Sequence, residues 1–133
     1  MIDDTYNANP QSIHAALESL VRLKGDGRAF AILGDMGELG EETDRAHQAI
    51  GRLAAELEVD RLITLGSNAA RVNAAAQEAG LPTDHCWVGV DPEQIAETVG
   101  RDLQNQDWIL VKGSRAMRME RVVEALIRRE EKH

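Results

Sequence analysis

Short apolar runs alternate five times with longer polar stretches whose apolar residues recur at helical spacing, and this rhythm constrains the chain most. Ile13, Ala16, Leu17, Leu20 and Val21 fall at i, i+3, i+4, i+7 and i+8, one face of a helix that Gly25 can end. Arg28 to Leu33 reads as a buried strand, and Ala46, Ala49, Ile50, Leu53 and Leu57 mark the next helix face. Arg61 to Leu65 is a strand, followed by a helix to Gly80 that Ser67 or Asn68 can cap. Cys86-Trp87-Val88 is a short strand. Asp91-Pro92-Glu93-Gln94 then carries a cap, a proline at the first helical position and a capping-box glutamine, ahead of Ile95, Val99 and Leu103. Asp107 to Val111 is the last strand. The final helix shows Met119, Val122, Val123, Leu126 and Ile127 on one face, with a charged tail from Arg128 expected to fray. Repeated strand-then-helix units predict an α/β domain of three layers, a mostly parallel sheet with helices on both faces.

The 133 residues suffice for one domain with a real core. Aromatics are 3% of the chain, so that core must be built from Leu, Ile, Val and Ala. The net charge of −8 argues against nucleic acid and against an anionic membrane surface, since both need basic patches. No apolar run approaches the ~20 residues that span a bilayer. The single Cys86 lies in an apolar run and reads as a buried structural thiol, consistent with a reducing cytoplasm.

In sheets of this kind ligands gather beyond the carboxyl ends of the strands. Three polar loops follow apolar runs and precede helices, so they should share that edge: Asp3 to Asn9, Gly34 to Gly40, and Lys112 to Arg115. Asp4 can accept from ribose hydroxyls or simply serve a helix terminus. Asn7 and Asn9 can fix a peptide or a base, and Asn9 before Pro10 is also an N-cap. Asp35 and Glu38, on a glycine-rich frame, can hold an ammonium or a metal, or stay solvated. Lys112 and Arg115 can clamp a carboxylate or phosphate, or form a surface salt bridge. His47 reads as a hydrogen-bonded structural histidine. No Ser-His-Asp or Cys-His set and no metal-ligand spacing is legible, and no GxxxxGK[ST] loop occurs, so nothing here cradles a triphosphate by itself.

Taken together, Asp-Asp-Thr-Tyr-Asn-Ala-Asn-Pro at 3–10, Leu-Gly-Asp-Met-Gly-Glu-Leu-Gly at 33–40 and Val-Lys-Gly-Ser-Arg-Ala-Met at 111–117 resemble the C-terminal domain of the Mur ligases. The second motif is most similar to that of the D-Ala-D-Ala-adding, MurF-type members. The resemblance implies a Rossmann-like domain of a three-domain bacterial, cytoplasmic enzyme of peptidoglycan synthesis. The UDP-sugar domain and the central domain, with its P-loop, magnesium sites and carbamylated lysine, would be absent from this chain, along with the domain's first strand and linker. It also implies the chemistry: ATP phosphorylates an acyl carboxylate, the incoming amine attacks the acyl phosphate, and ADP and phosphate leave.

Carried over by position, Asp4, Tyr6, Asn7 and Asn9 would face the nucleotide. Asp35 and Glu38 would receive the ammonium of D-Ala-D-Ala, and Lys112, Ser114 and Arg115 would lie near its carboxylate. No catalytic residue and no metal ligand is expected within this stretch. ATP and Mg2+ would be held mainly by the central domain. The implied partners are the remaining domains of the same ligase, ATP, D-Ala-D-Ala and UDP-MurNAc-tripeptide, in a monomer. Two other readings stay open at this point: a different Mur or folylpolyglutamate-type ligase domain, and a non-catalytic Rossmann-like binding module.

Overall fold

The computed structural model describes residues 2–4, 9–37, 39–114 and 117–131, with residues 2–4 and 131 described by backbone alone. In chain order the elements are β1 (Ile2–Asp4), α1 (Pro10–Leu23), β2 (Ala29–Gly34), α2 (Thr43–Glu56), β3 (Arg61–Leu65), α3 (Ala69–Glu78), β4 (Cys86–Val88), α4 (Pro92–Asp102), β5 (Trp108–Lys112) and α5 (Glu120–Glu131). All strand pairs among the described residues are parallel, in the order β1-β5-β2-β3-β4. The last strand in sequence therefore lies between the first two. Its register aligns Ile2, Leu110 and Ala31 across the three strands, and likewise Asp4, Lys112 and Leu33.

Both faces of the sheet are covered, which explains the unbroken apolar runs. Ala29, Ala31, Leu33, Leu62 and Leu110 pack beneath α1, α2 and α3. Phe30, Ile32, Ile63, Ile109 and Val111 pack against α4 and α5. Small side chains at Ala29 and Ala31 suit the face that carries three helices. The α2 and α3 axes also come close, because a Cβ on Gly51 would run into the Val72 carbonyl.

Most sequence expectations hold at the level of elements, with informative departures. Asn9 caps α1 as expected: its Oδ1 accepts from Ser12 N–H at 2.9 Å and its own N–H donates to Ser12 Oγ at 3.1 Å, with Pro10 at the first position. Asp91 caps α4 through Gln94 N–H at 2.8 Å, but the Gln94 side chain accepts from Val90 N–H, one residue before the cap. Ala49 is exposed, and His47 takes its place on the buried face of α2. Ile127 is 44% exposed while Ala125 is buried, so the α5 stripe is centred one residue earlier than expected. The charged C-terminal stretch continues the helix to Glu131 instead of fraying at Arg128. Cys86 is buried, as read.

The amino ends of the strands are tied by ions. Arg28 donates to Asp107 Oδ2 at 2.7 Å and to Asp102 Oδ1 at 3.1 Å, and its guanidinium lies 5.0 Å from the centroid of the Phe30 ring. Arg61 donates to Asp102 at 3.1 Å, and Asp60 accepts from Ala29 N–H at 2.7 Å. The Asp107 side chain is 3% exposed. Burial alone would raise its pKa. The Arg28 hydrogen bonds, with backbone N–H groups of Gln104 and Arg28 and the Arg28 charge, overcome that and hold the carboxyl below its ordinary value. The same contact raises the Arg28 pKa.

A carboxyl whose pKa is depressed on folding contributes stability above its unfolded pKa, and loses it as pH falls through the folded value. Asp107→Asn should therefore cost about 2–3 kcal/mol at neutral pH. Urea unfolding should also show the wild-type advantage over this variant shrinking below about pH 4.

Candidate functional site

The carboxyl edge of the sheet is built around the β5 end. Asp4 closes β1 opposite Lys112, and Leu33 pairs Lys112 from the other side, so the three motif loops leave the sheet side by side. Lys112 is the last residue of β5 and not part of a surface loop, and it is 0% exposed. The surface salt-bridge reading for this lysine does not hold. Strand alternation puts Lys112 on the same side as Leu110, the α1 side of the sheet.

Two glycines let the β2 and β5 ends touch. A Cβ on Gly113 would lie 2.5 Å from Met119 Cγ and 3.2 Å from Gly34 Cα, and one on Gly34 would lie 2.8 Å from Met119 Sδ. Met119, fully buried, thus plugs the gap between the two loops from the α5 side.

Asp35 joins three loops. Its carbonyl accepts from Ser114 N–H at 2.8 Å. Its carboxylate accepts from Ser67 N–H at 3.0 Å, Ser67 Oγ–H at 2.9 Å and Asn68 N–H at 3.0 Å. Ser67 and Asn68 precede α3, and the Asn68 side chain makes no cap hydrogen bond of its own. The cap comes instead from a residue 32 positions earlier. Gly66, at φ +118°, makes this approach possible in both conformation and space, since a Cβ there would sit 2.6 Å from Asp35 Cγ.

The residue after Asp35 is held from the other side. Met36 N–H donates to His47 Nε2 at 3.1 Å, and His47 Nδ1 lies 2.7 Å from the Thr43 carbonyl. An acceptor Nε2 and a donor Nδ1–H define the neutral Nδ1 tautomer. His47 is 2% exposed, and its structural reading is what the fold shows.

Of the residues read from sequence, the structure brings together Asp35, Lys112 and Ser114, with Asp4 at the same level of the sheet by backbone register. Asn9 stands at the start of α1 with its side chain in the capping box. Tyr6, Asn7, Glu38, Arg115 and the Asp4 side chain lie outside the described residues. Sequence reasoning did not connect Gly66, Ser67 and Asn68 to this edge. A signal for them existed: Leu65-Gly66-Ser67 ends β3 much as Lys112-Gly113-Ser114 ends β5.

Residues 1–115 match the family model described as "Mur ligase, glutamate ligase domain". The chain belongs to the Mur ligase family. It is 36% identical to the UDP-N-acetylmuramoyl-tripeptide–D-alanyl-D-alanine ligase of Mycobacterium tuberculosis strain CDC 1551 over 96% of its own length and 28% of that enzyme's. It is 32% identical to the ligase of that name from Bacillus subtilis, over 96% of this chain and 28% of that enzyme. Among solved structures, the MurF ligase of Thermotoga maritima in complex with ADP superposes with a TM-score of 0.82 at 31% identity, over 98% of this chain and 28% of that one. A MurF structure from Acinetobacter baumannii gives 0.81 at 29% identity, over 95% of this chain and 27% of that one. The chain thus spans little more than a quarter of these Mur ligases, and its fold is that of their C-terminal domain. Among the described residues, no helix is long and apolar enough to cross a membrane.

His47→Ala would leave the buried Met36 N–H without its acceptor and a void under the loop. It should cost about 2–4 kcal/mol in chemical denaturation. Gly113→Ala should cost about 1–3 kcal/mol, because the added methyl meets Met119 and the Gly34 backbone.

Proposed function

We propose that this chain is the C-terminal domain of a MurF-type ligase that joins D-Ala-D-Ala to UDP-MurNAc-tripeptide in bacterial peptidoglycan synthesis. The observation that carries this reading is the shared register of Asp4, Lys112 and Leu33, which sets the three motif loops next to one another on one edge of a parallel sheet.

On this reading the first loop, with Asp4, Tyr6, Asn7 and Asn9, faces the nucleotide. The second loop, with Asp35 and Glu38, serves the ammonium of the dipeptide. The third, with Lys112, Ser114 and Arg115, serves its carboxylate. Acid at one end and base at the other suits a zwitterion. ATP supplies the phosphoryl group that activates the acyl carboxylate, and attack by the dipeptide amine releases phosphate. ATP and Mg2+ are held mainly by domains of the same cytoplasmic enzyme outside this chain. The part of this domain is to close over the nucleotide, exclude water and present the amine. The chain by itself neither hydrolyses ATP nor ligates.

The test is ATP-dependent phosphate release by the full-length ligase with UDP-MurNAc-tripeptide, comparing D-Ala-D-Ala with D-Glu, L-Ala and meso-diaminopimelate as acceptors. Release confined to D-Ala-D-Ala is expected. Release with a different acceptor would keep the ligase and change its substrate. Silence with every acceptor would favour a non-catalytic module. Within an active ligase, Arg115→Ala should raise the KM for the dipeptide about tenfold or more, as loss of a charge-assisted hydrogen bond would. An unchanged KM would remove Arg115 from the carboxylate site.

A further inference from the structure

Asp35 lies in the loop read above as serving the acceptor ammonium, yet its carboxylate already has three donors within 3.0 Å: Ser67 N–H, Ser67 Oγ–H and Asn68 N–H. An ionised carboxylate accepts about four hydrogen bonds in all. An ammonium with three protons to place would find little capacity left. The donors are also well matched to their acceptor. They are the free N–H groups and hydroxyl at the start of α3, where the helix dipole favours a negative charge and the local Asn68 side chain gives no cap. The backbone of the same residue holds Ser114, at 2.8 Å. One residue therefore ties the loop after β2 to the loops after β3 and β5. The fit is close on the far side too, with Gly66 against the carboxylate and Gly37 set so that a Cβ would lie 3.3 Å from Ser114 Cβ.

We propose that Asp35 is a positioning residue for the acceptor side of the site, not a ligand, and that Ser67 and Asn68 belong to the same device. This rests on the ligase reading above and revises one assignment in it: Asp35 shapes the ammonium site without touching the ammonium. It assigns the acceptor ammonium to the remainder of the 34–40 loop, and makes the β3 end, which no motif marks, a determinant of acceptor binding. Asp35→Asn keeps the size but turns one acceptor into a donor that faces N–H groups. Ser67→Ala removes one donor at a residue that touches no substrate in this scheme, and is mild enough to fold.

The experiment uses the full-length ligase with two readouts: KM and kcat for acceptor and for UDP-substrate, and hydrogen–deuterium exchange of peptides covering residues 64–70 and 111–116. Asp35→Asn should lower kcat/KM for the acceptor about tenfold or more, and Ser67→Ala about threefold. The double variant should be no worse than Asp35→Asn alone, because the two act as one unit. The KM for the UDP-substrate should stay unchanged, and exchange should accelerate in both peptides.

A raised acceptor KM in Asp35→Asn, with Ser67→Ala at wild-type values and exchange unaltered, would make Asp35 a ligand and overturn the proposal. Faster exchange with unchanged acceptor kinetics would overturn it as well, leaving a tie that only stabilises the fold. If the wild-type enzyme takes an acceptor other than D-Ala-D-Ala, the substrate assignment fails while these comparisons run unchanged with that acceptor. If it takes none, both readings fall.

Discussion

Everything at the carboxyl edge depends on β5 being inserted between β1 and β2. A parallel pair cannot be joined by a tight turn, so each neighbour of β5 is reached only through a crossover. The register of that strand is fixed at both ends by different physics. At its amino end the buried Asp107 carboxylate is gripped by Arg28, which precedes β2. At its carboxyl end Gly113 meets Gly34 so closely that no side chain fits between them. A slip of one residue would turn Ile109 and Val111 toward α1 and carry Leu110 out of the α1-side core to the face of α4 and α5.

The ionic cluster also shows how a perturbed carboxyl can mislead. Among the described residues, Asp107 and Arg28 have clearly shifted pKa values, and a shifted group in a cleft is often a sign of chemistry. Here both lie at the amino ends of the strands, opposite the candidate site. They join the start of β2 to β5 and to the end of α4. At the motif loops, Asp35, Ser67, Asn68 and Ser114 are joined by hydrogen bonds.

The fold was largely legible because both layers of the core are periodic: a 3.6-residue stripe in each helix and continuous apolar runs for strands covered on both faces. Proline and cap residues placed the starts of α1 and α4 correctly. What could not be read were contacts between residues far apart in sequence. Nothing local to Asp35 says that its partners are Ser67 and Asn68, and nothing local to Lys112 says that a strand-end lysine is fully buried. Within α2, the apolar spacing points to Ala49, while the buried place goes to His47, whose two ring nitrogens are both satisfied. The candidate edge was legible as three loops, because strand order puts the strand ends that carry them side by side. The contact of Asp35 with the end of β3 emerged only from geometry.

The position of β5 has a kinetic side. The α2–α3 pair and the strands β2, β3 and β4 are neighbours in sequence as well as in space, so their contacts close short loops. Pairing β5 with β1 instead joins the two most distant strands of the chain, and such closure is slow because its entropy cost precedes its contacts. The Asp4–Lys112 level of the candidate edge lies on that seam. A chain with most of its helices formed but its first and last strands unpaired would have ordinary secondary structure by circular dichroism and no assembled edge, so possession of the site is a measure of complete folding.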